Sequence, residues 1–234
     1  FKCGPDYIDP MFHSRIIGAK SANLDLHFFS ENTLRFLLAK NAAGCDLSVI
    51  EGAMGFYDGA GLTTWKTSAY ELALVTKTPV VLVVNARGAA LSVLAVIEGF
   101  LRFRPESGIR GVILNQCTAM TYASLSAAIE ERFGIRCFGF LPRLDECVLE
   151  SRHLGLVTAG EIRDLREKMQ TLAAQAEKTL DIDALLALAH EAEPLDYTPA
   201  VLPKKEKIRL AVARDNAFCF YYEDSLDAVR EMGG

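Results

Sequence analysis

Several common signatures are missing from the 234 residues. The six cysteines (Cys3, Cys45, Cys117, Cys137, Cys147 and Cys219) include no C-x-x-C pair, which argues against a zinc ribbon or a thioredoxin-type motif. Several of them sit in apolar runs, where cysteine behaves as a small hydrophobe, and free thiols of this kind fit a reducing cytoplasm. The four histidines (His13, His27, His153 and His190) lie too far apart for a ligand pair three or four residues apart, so no zinc centre is expected. No apolar stretch reaches membrane-spanning length without a charge or a glycine, and no charged-then-apolar leader opens the chain. With a net charge of −5 and no long run of one sign, neither nucleic acid nor an anionic membrane is an expected partner. No G-x-x-x-x-G-K-[ST] phosphate loop occurs, and the first residue is Phe rather than Met, from which an upstream segment is expected.

What remains is a chain half hydrophobic and about a quarter charged, the balance of a soluble globular protein. Strand-like and helix-like runs alternate. Ser30 caps an expected helix to Ala43, and the strand Asp46–Ile50 follows, then a helix over 69–77 and a strand over 80–84. Next come a helix from about 90 to 103, a strand over 111–114, a helix from about 122 to 133 and a strand over 137–141. These strands are apolar without alternation, the pattern of a parallel sheet covered on both faces, so the fold class is a doubly wound α/β domain. A charged helix over 158–179 and a short one over 182–190 are expected next. Residues 191–207, rich in proline and charge and without periodicity, read as a linker. A fresh strand over 208–213 and a helix over 223–232 then begin a second α/β domain over 208–234, after a first over 1–190.

Two aspartates, Asp6 and Asp9, lie in Gly4-Pro5-Asp6-Tyr7-Ile8-Asp9-Pro10, a loop whose prolines restrict their own φ and that of the preceding residue. Glu51 directly follows the Asp46–Ile50 strand, and Asp58 lies in the glycine-rich run after it. Ligands bind at the carboxyl ends of strands in open α/β sheets, and carboxylates there suit magnesium, which takes one or two of them with phosphate oxygens and water. Asn115 ends another strand, where an amide reads a nucleotide base or caps the next helix with equal ease. Lys2 ends the first strand, in reach of a phosphate or of solvent. Arg152 and His153 stand in a polar cluster that runs into an apolar, glycine-containing turn.

Residues 2–13, Ser21-Ala22-Asn23-Leu24-Asp25, 51–59, 152–156 and 211–222 together closely resemble the cobyrinate a,c-diamide synthase family. The resemblance implies a dethiobiotin-synthetase-like P-loop domain followed by a class I glutamine amidotransferase domain. It also implies ATP-dependent amidation of the a- and c-carboxylates of cobyrinate through an acyl phosphate, with ammonia from glutamine. By the same resemblance, Glu51 and Asp6 hold Mg2+; Asp6, Asp9 and Asp58 form the acyl-phosphate and ammonia site. Lys2 and Asn115 bind ATP, and Tyr7, Ile8, Ser21, Tyr57, Arg152 and His153 bind the tetrapyrrole. A homodimer is left open. The family's phosphate loop and glutaminase nucleophile would fall outside residues 1–234, so an inactive fragment is expected. Hydrogenobyrinate or nickel-sirohydrochlorin diamide synthases and cobyric acid synthase share these motifs, and a nucleotide-binding partitioning or scaffold protein is the non-enzymatic alternative.

Overall fold

Parallel pairing of apolar strands organises the chain. The computed structural model describes residues 1–148, 165–215 and 217–234, which fall into two units. The first holds residues 1–72 and 195–234. In it β1 (Lys2–Cys3) runs parallel to β2 (Asn23–Leu24), with Lys2 opposite Asn23 and Cys3 opposite Leu24. On the other side of β1, Glu51 bridges to Lys2 in parallel, and the Cys3 amide donates to the Glu51 carbonyl at 2.9 Å. Between these strands lie α1 (Ile8–Phe12), which passes into a π turn over His13–Ile17, and then, after β2, α2 (Glu31–Ala42), capped by the Ser30 hydroxyl accepting from the Thr33 amide. The helix α3 (Ala69–Thr76) begins in this unit and ends in the second.

The second unit, described over residues 73–148 and 165–194, contains the three-stranded parallel sheet β3 (Val80–Asn85), β4 (Ile109–Asn115) and β5 (Arg136–Leu141), in that order. Its crossovers are α4 (Ser92–Phe103) and α5 (Ala119–Phe133), and α6 (Leu165–Thr179) and α7 (Ile182–His190) follow. Val112 and Leu114 of the central strand are fully buried, as are Ile97 of α4 and Ile129 of α5. Phe138 of β5 packs with Ala184 and Leu188 of α7. Each fully buried aliphatic side chain contributes about 1.5–3 kcal/mol, so this interleaving of strands and helices supplies the unit's cohesion. The last helix, α8 (Glu223–Met232), belongs to the first unit and closes on Gly233 in a left-handed conformation.

The α/β architecture with parallel strands agrees with the sequence. Two expected strands do not form. Among the described residues, 46–50 make no ladder; the Glu51 bridge and backbone bonds with Phe1 and Cys3 hold the end of this segment, and Val49 is exposed. Residues 208–213 form no strand ladder among the described residues, and Ile208, Leu210 and Val212 are exposed. An apolar run marks a segment fit to pair, but a strand exists only where a neighbour completes the hydrogen bonds. Burial on both faces holds for the central strand β4 and not for β3, one of the two edge strands of the described sheet, where Val83 is 59% exposed. The expected charged helix is described from Leu165 onward, and its first seven residues lie outside the described part.

Candidate functional site

The carboxyl ends of three parallel segments meet in the first unit. β1 leads into Asp6, β2 into Asp25, and the 46–50 segment into Glu51. Gly4 makes the turn out of β1 with φ of +77°, a conformation that favours glycine. The buried Asn23 amide then ties the turn down, donating to the carbonyls of Gly4 at 2.9 Å and Asp6 at 2.6 Å. Asp6 Oδ1 accepts from the amides of Ile8 at 2.8 Å and Asp9 at 3.2 Å, which starts α1. Pro10 falls in the first turn of that helix, where a missing N–H does no harm. These bonds fix Asp6 and Asp9 on one side of the strand ends.

Lys2 is the hub. Its side chain is 6% exposed, and its Nζ lies 2.6 Å from Asp9 Oδ2, 3.1 Å from Glu51 Oε1 and 3.9 Å from Asp6 Oδ2, and donates to the Gly52 carbonyl at 3.2 Å. Burial works against the ammonium, but the hydrogen bonds to Asp9 and Glu51 outweigh it and hold the Lys2 pKa above the ordinary lysine value. The second Glu51 oxygen, Oε2, is 2.9 Å from His13 Nε2, and His13 Nδ1 is 3.3 Å from the Ser21 hydroxyl. The cluster therefore runs as one chain of polar contacts: Asp9, Lys2, Glu51, His13, Ser21. Ser21 also lines a cavity of about 380 Å3 with Tyr7, Asn23, Arg214 and Tyr222.

Of the residues expected at the site, Lys2, Asp6, Asp9, Glu51 and Ser21 are brought together. Asp58 is not: its carboxylate accepts from the Gly55 amide at 2.9 Å within its own loop, and no contact with Lys2 occurs among the described residues. A side chain at position 55 would collide with that carboxylate, so Gly55 and Asp58 form one local turn. Tyr7 stacks on Tyr222 at 4.8 Å and Phe220 at 5.3 Å between ring centres, and Ile8 opens α1 beside it. Tyr57 joins an aromatic group with Phe56 and Tyr70. Asn115 ends β4 in the second unit, where its Oδ1 accepts from the Gln116 amide; the cap of α5 is Thr118 instead, so the capping reading of Asn115 fails. Arg152 and His153 lie outside the described residues.

His13 is the residue that sequence reasoning passed over. No other histidine stands at ligand spacing from it, and its partner is an acid, Glu51. The available signal was its position four residues after Asp9 on a short helical run, which places both toward the same side. Asp25 was also unassigned; it is 1% exposed, its Oδ1 accepts from the His27 amide, and its Oδ2 has no partner among the described residues.

The acid cluster offers hard oxygen donors, Asp6, Asp9 and Glu51, that are partly open to solvent, the chemistry magnesium takes when it keeps several waters. Among the described residues no group of three or more His, Cys, Asp or Glu side chains is placed to hold a metal ion, and the Lys2 ammonium lies among the oxygens of Asp6, Asp9 and Glu51. No described helix is long and apolar enough to cross a membrane.

Comparison with known proteins adds the family. Over its whole length the chain is 40% identical to the cobyrinate a,c-diamide synthase of Caldanaerobacter subterraneus subsp. tengcongensis, of which it covers 52%. It is 39% identical to proteins of the same name from Listeria monocytogenes serotype 4b, covering 52%, and Clostridium acetobutylicum, covering 53%. The chain thus spans about half the length of these curated relatives. No solved structure matches. The family described as AAA domain matches residues 17–151, more than half of the chain and a range that contains β2 to β5. With that match and its parallel α/β strands, the chain belongs to the AAA domain family.

Proposed function

We propose that this chain is the synthetase part of an enzyme that amidates the a- and c-carboxylates of cobyrinate, using ATP and ammonia drawn from glutamine. The observation that carries the reading is the Lys2 ammonium held at the strand ends by Asp9 and Glu51, together with relatives of that name along the whole chain. Amidation of a carboxylate needs activation. A substrate carboxylate oxygen bonds to the γ-phosphorus of ATP as the bond to ADP breaks, and ammonia then bonds to the acyl carbon as phosphate departs with the acyl C–O bond. Phosphoryl transfer of this kind needs positioning and neutralisation of charge more than covalent help.

In this reading Lys2, in leaving its carboxylates, meets the transferred phosphoryl group, and Asp9 takes the proton that the attacking ammonia loses. Asp6 and Glu51 are the residues that would hold Mg2+, whose contribution is to neutralise phosphate charge. Tyr7, Ile8 and Ser21 face the tetrapyrrole. Tyr57, Asn115, Arg152 and His153 keep the roles the resemblance gives them, and residues 208–234 open a glutaminase domain after the 191–207 linker. The test is to incubate the purified enzyme with cobyrinate, ATP, Mg2+ and either glutamine or ammonium chloride. Monoamide and diamide formation, followed by mass spectrometry, with one phosphate released per amide, is the expected result. ATP-independent amidation, or none with either nitrogen source, would overturn the reading.

A further inference from the structure

Glu51 has two oxygens and each has its own partner. Lys2 takes Oε1, an interaction that a mobile ammonium makes in many geometries. The other is directional. An ionised carboxylate only accepts, so His13 Nε2 carries the proton that points at Oε2, 2.9 Å away. In the neutral imidazole Nδ1 is then an acceptor, and the Ser21 O–H, 3.3 Å away, is the donor that meets it. The imidazole ring is thus held at both ends, and its own placement is set by the π turn His13–Ile17, which closes on the left-handed Gly18. Glu51 itself stands in a glycine-containing segment with a half-exposed side chain, so nothing on its own strand end fixes the carboxylate plane.

We infer that His13 is the positioning residue of Glu51: its Nε2–H fixes the orientation of the carboxylate, and Ser21 fixes the tautomer and ring of His13. The inference rests on the amidation reading for what Glu51 does, but not for the hydrogen-bond array itself. His13 touches no reacting atom in this arrangement. Its effect passes through Glu51, as outer partners of a functional carboxylate or imidazole act through the group they orient.

Two measurements test it, and they fail separately. The first is the two-bond nitrogen–proton correlation spectrum of His13 in the 234-residue chain, recorded across a pH series so that the neutral ring is read directly from its nitrogen shifts. The Nε2–H tautomer is expected, with the lock lost in Glu51→Ala; an Nδ1–H tautomer in the unsubstituted chain would overturn the inference whatever the activity. The second is amidation by the enzyme. His13→Phe keeps the ring and loses the donor, and is expected to lower kcat by about 10–100-fold with KM for ATP little changed. His13→Gln restores an N–H at similar reach and is expected to recover most of that loss. Parental turnover in His13→Phe, or equal damage in His13→Gln and His13→Phe with both folded, would overturn the positioning role. An enzyme that amidates nothing would overturn the functional reading instead, and the spectrum would still decide the array.

Discussion

Replacing Lys2 with Met keeps the buried aliphatic stem and removes only the ammonium, so the change isolates the electrostatics of the hub. Three hydrogen bonds disappear, to Asp9 Oδ2 at 2.6 Å, Glu51 Oε1 at 3.1 Å and the Gly52 carbonyl at 3.2 Å. Bonds to charged groups contribute about 1.5–3 kcal/mol each when well shielded. The Asp9 and Glu51 side chains are 37% and 47% exposed, so solvent screening takes them to the low end. Desolvation of the ammonium offsets a further part. The net loss is about 2–3 kcal/mol, of which about 1 kcal/mol is the repulsion in water-like surroundings between the two carboxylates left within reach of one point. Trp65 is the sole tryptophan and lies in the same unit, so its fluorescence in urea reports on this unit. With a slope of about 2 kcal/mol per molar urea, the midpoint should fall by about 1–1.5 M, and Asp9→Asn in the Lys2→Met background should recover part of it. A Lys2→Met midpoint within about 0.2 M of the parent, or a second substitution that recovers nothing, would show that the Lys2 ammonium contributes no net stability and holds nothing in place.

Gly139→Ala should cost at least about 2 kcal/mol in the second unit, because Gly139 has φ of +127° and a Cβ there would strike the Thr179 carbonyl; thermal melts followed by circular dichroism measure it. Thr118→Ala removes the oxygen that accepts from the Thr121 amide at the start of α5 and should cost about 1 kcal/mol, read from the same melts. Burial pushes the Cys3 and Cys137 thiols up to about 11 from an ordinary 9.0. Both therefore stay protonated in the folded chain where the unfolded chain ionises: the stability they contribute is full below pH 9.0 and is lost as pH rises to about 11, which urea midpoints across that range would show. At about pH 8 the exposed Cys45 should be alkylated well before Cys3, Cys117 or Cys137, as peptide mass spectrometry can report, and equal rates would contradict the burial of those three.

Helices and inner strands were legible because their causes are local or repeat along the chain. α7 and α8 begin and end where expected: the Asp181 carboxylate accepts from the Ala184 amide at one start, and Gly233 terminates the other. β3, β4 and β5 were visible as apolar runs between helices, since each is a segment whose partners are also strong strand formers. Residues 46–50 and 208–213 carry the same apolar character and still fail to form ladders. Their pairing depends on a neighbour at the right place, which no window of sequence contains.

The site divides along the same line. That Asp6, Asp9 and Glu51 come together was legible because a proline-bounded loop and the end of an apolar run are both local marks, and residues at the carboxyl ends of neighbouring parallel segments lie side by side. Asp58 shares the glycine-rich setting, but whether such an acid faces a ligand or its own loop is settled by one rotamer, and here the Gly55 amide takes it. His13 was missed for the opposite reason: its role comes from a contact to Glu51 across 38 positions of sequence, with Asn23 and Gly4 setting the loop that brings the two elements together. A residue whose work is to orient another leaves little trace where it stands, and it becomes visible only when both oxygens of Glu51 are followed to their partners. That is also why Lys2 and His13 have different consequences. Removing the ammonium should loosen the loop and the strand end together, whereas removing the imidazole donor should leave both in place and free one carboxylate to turn.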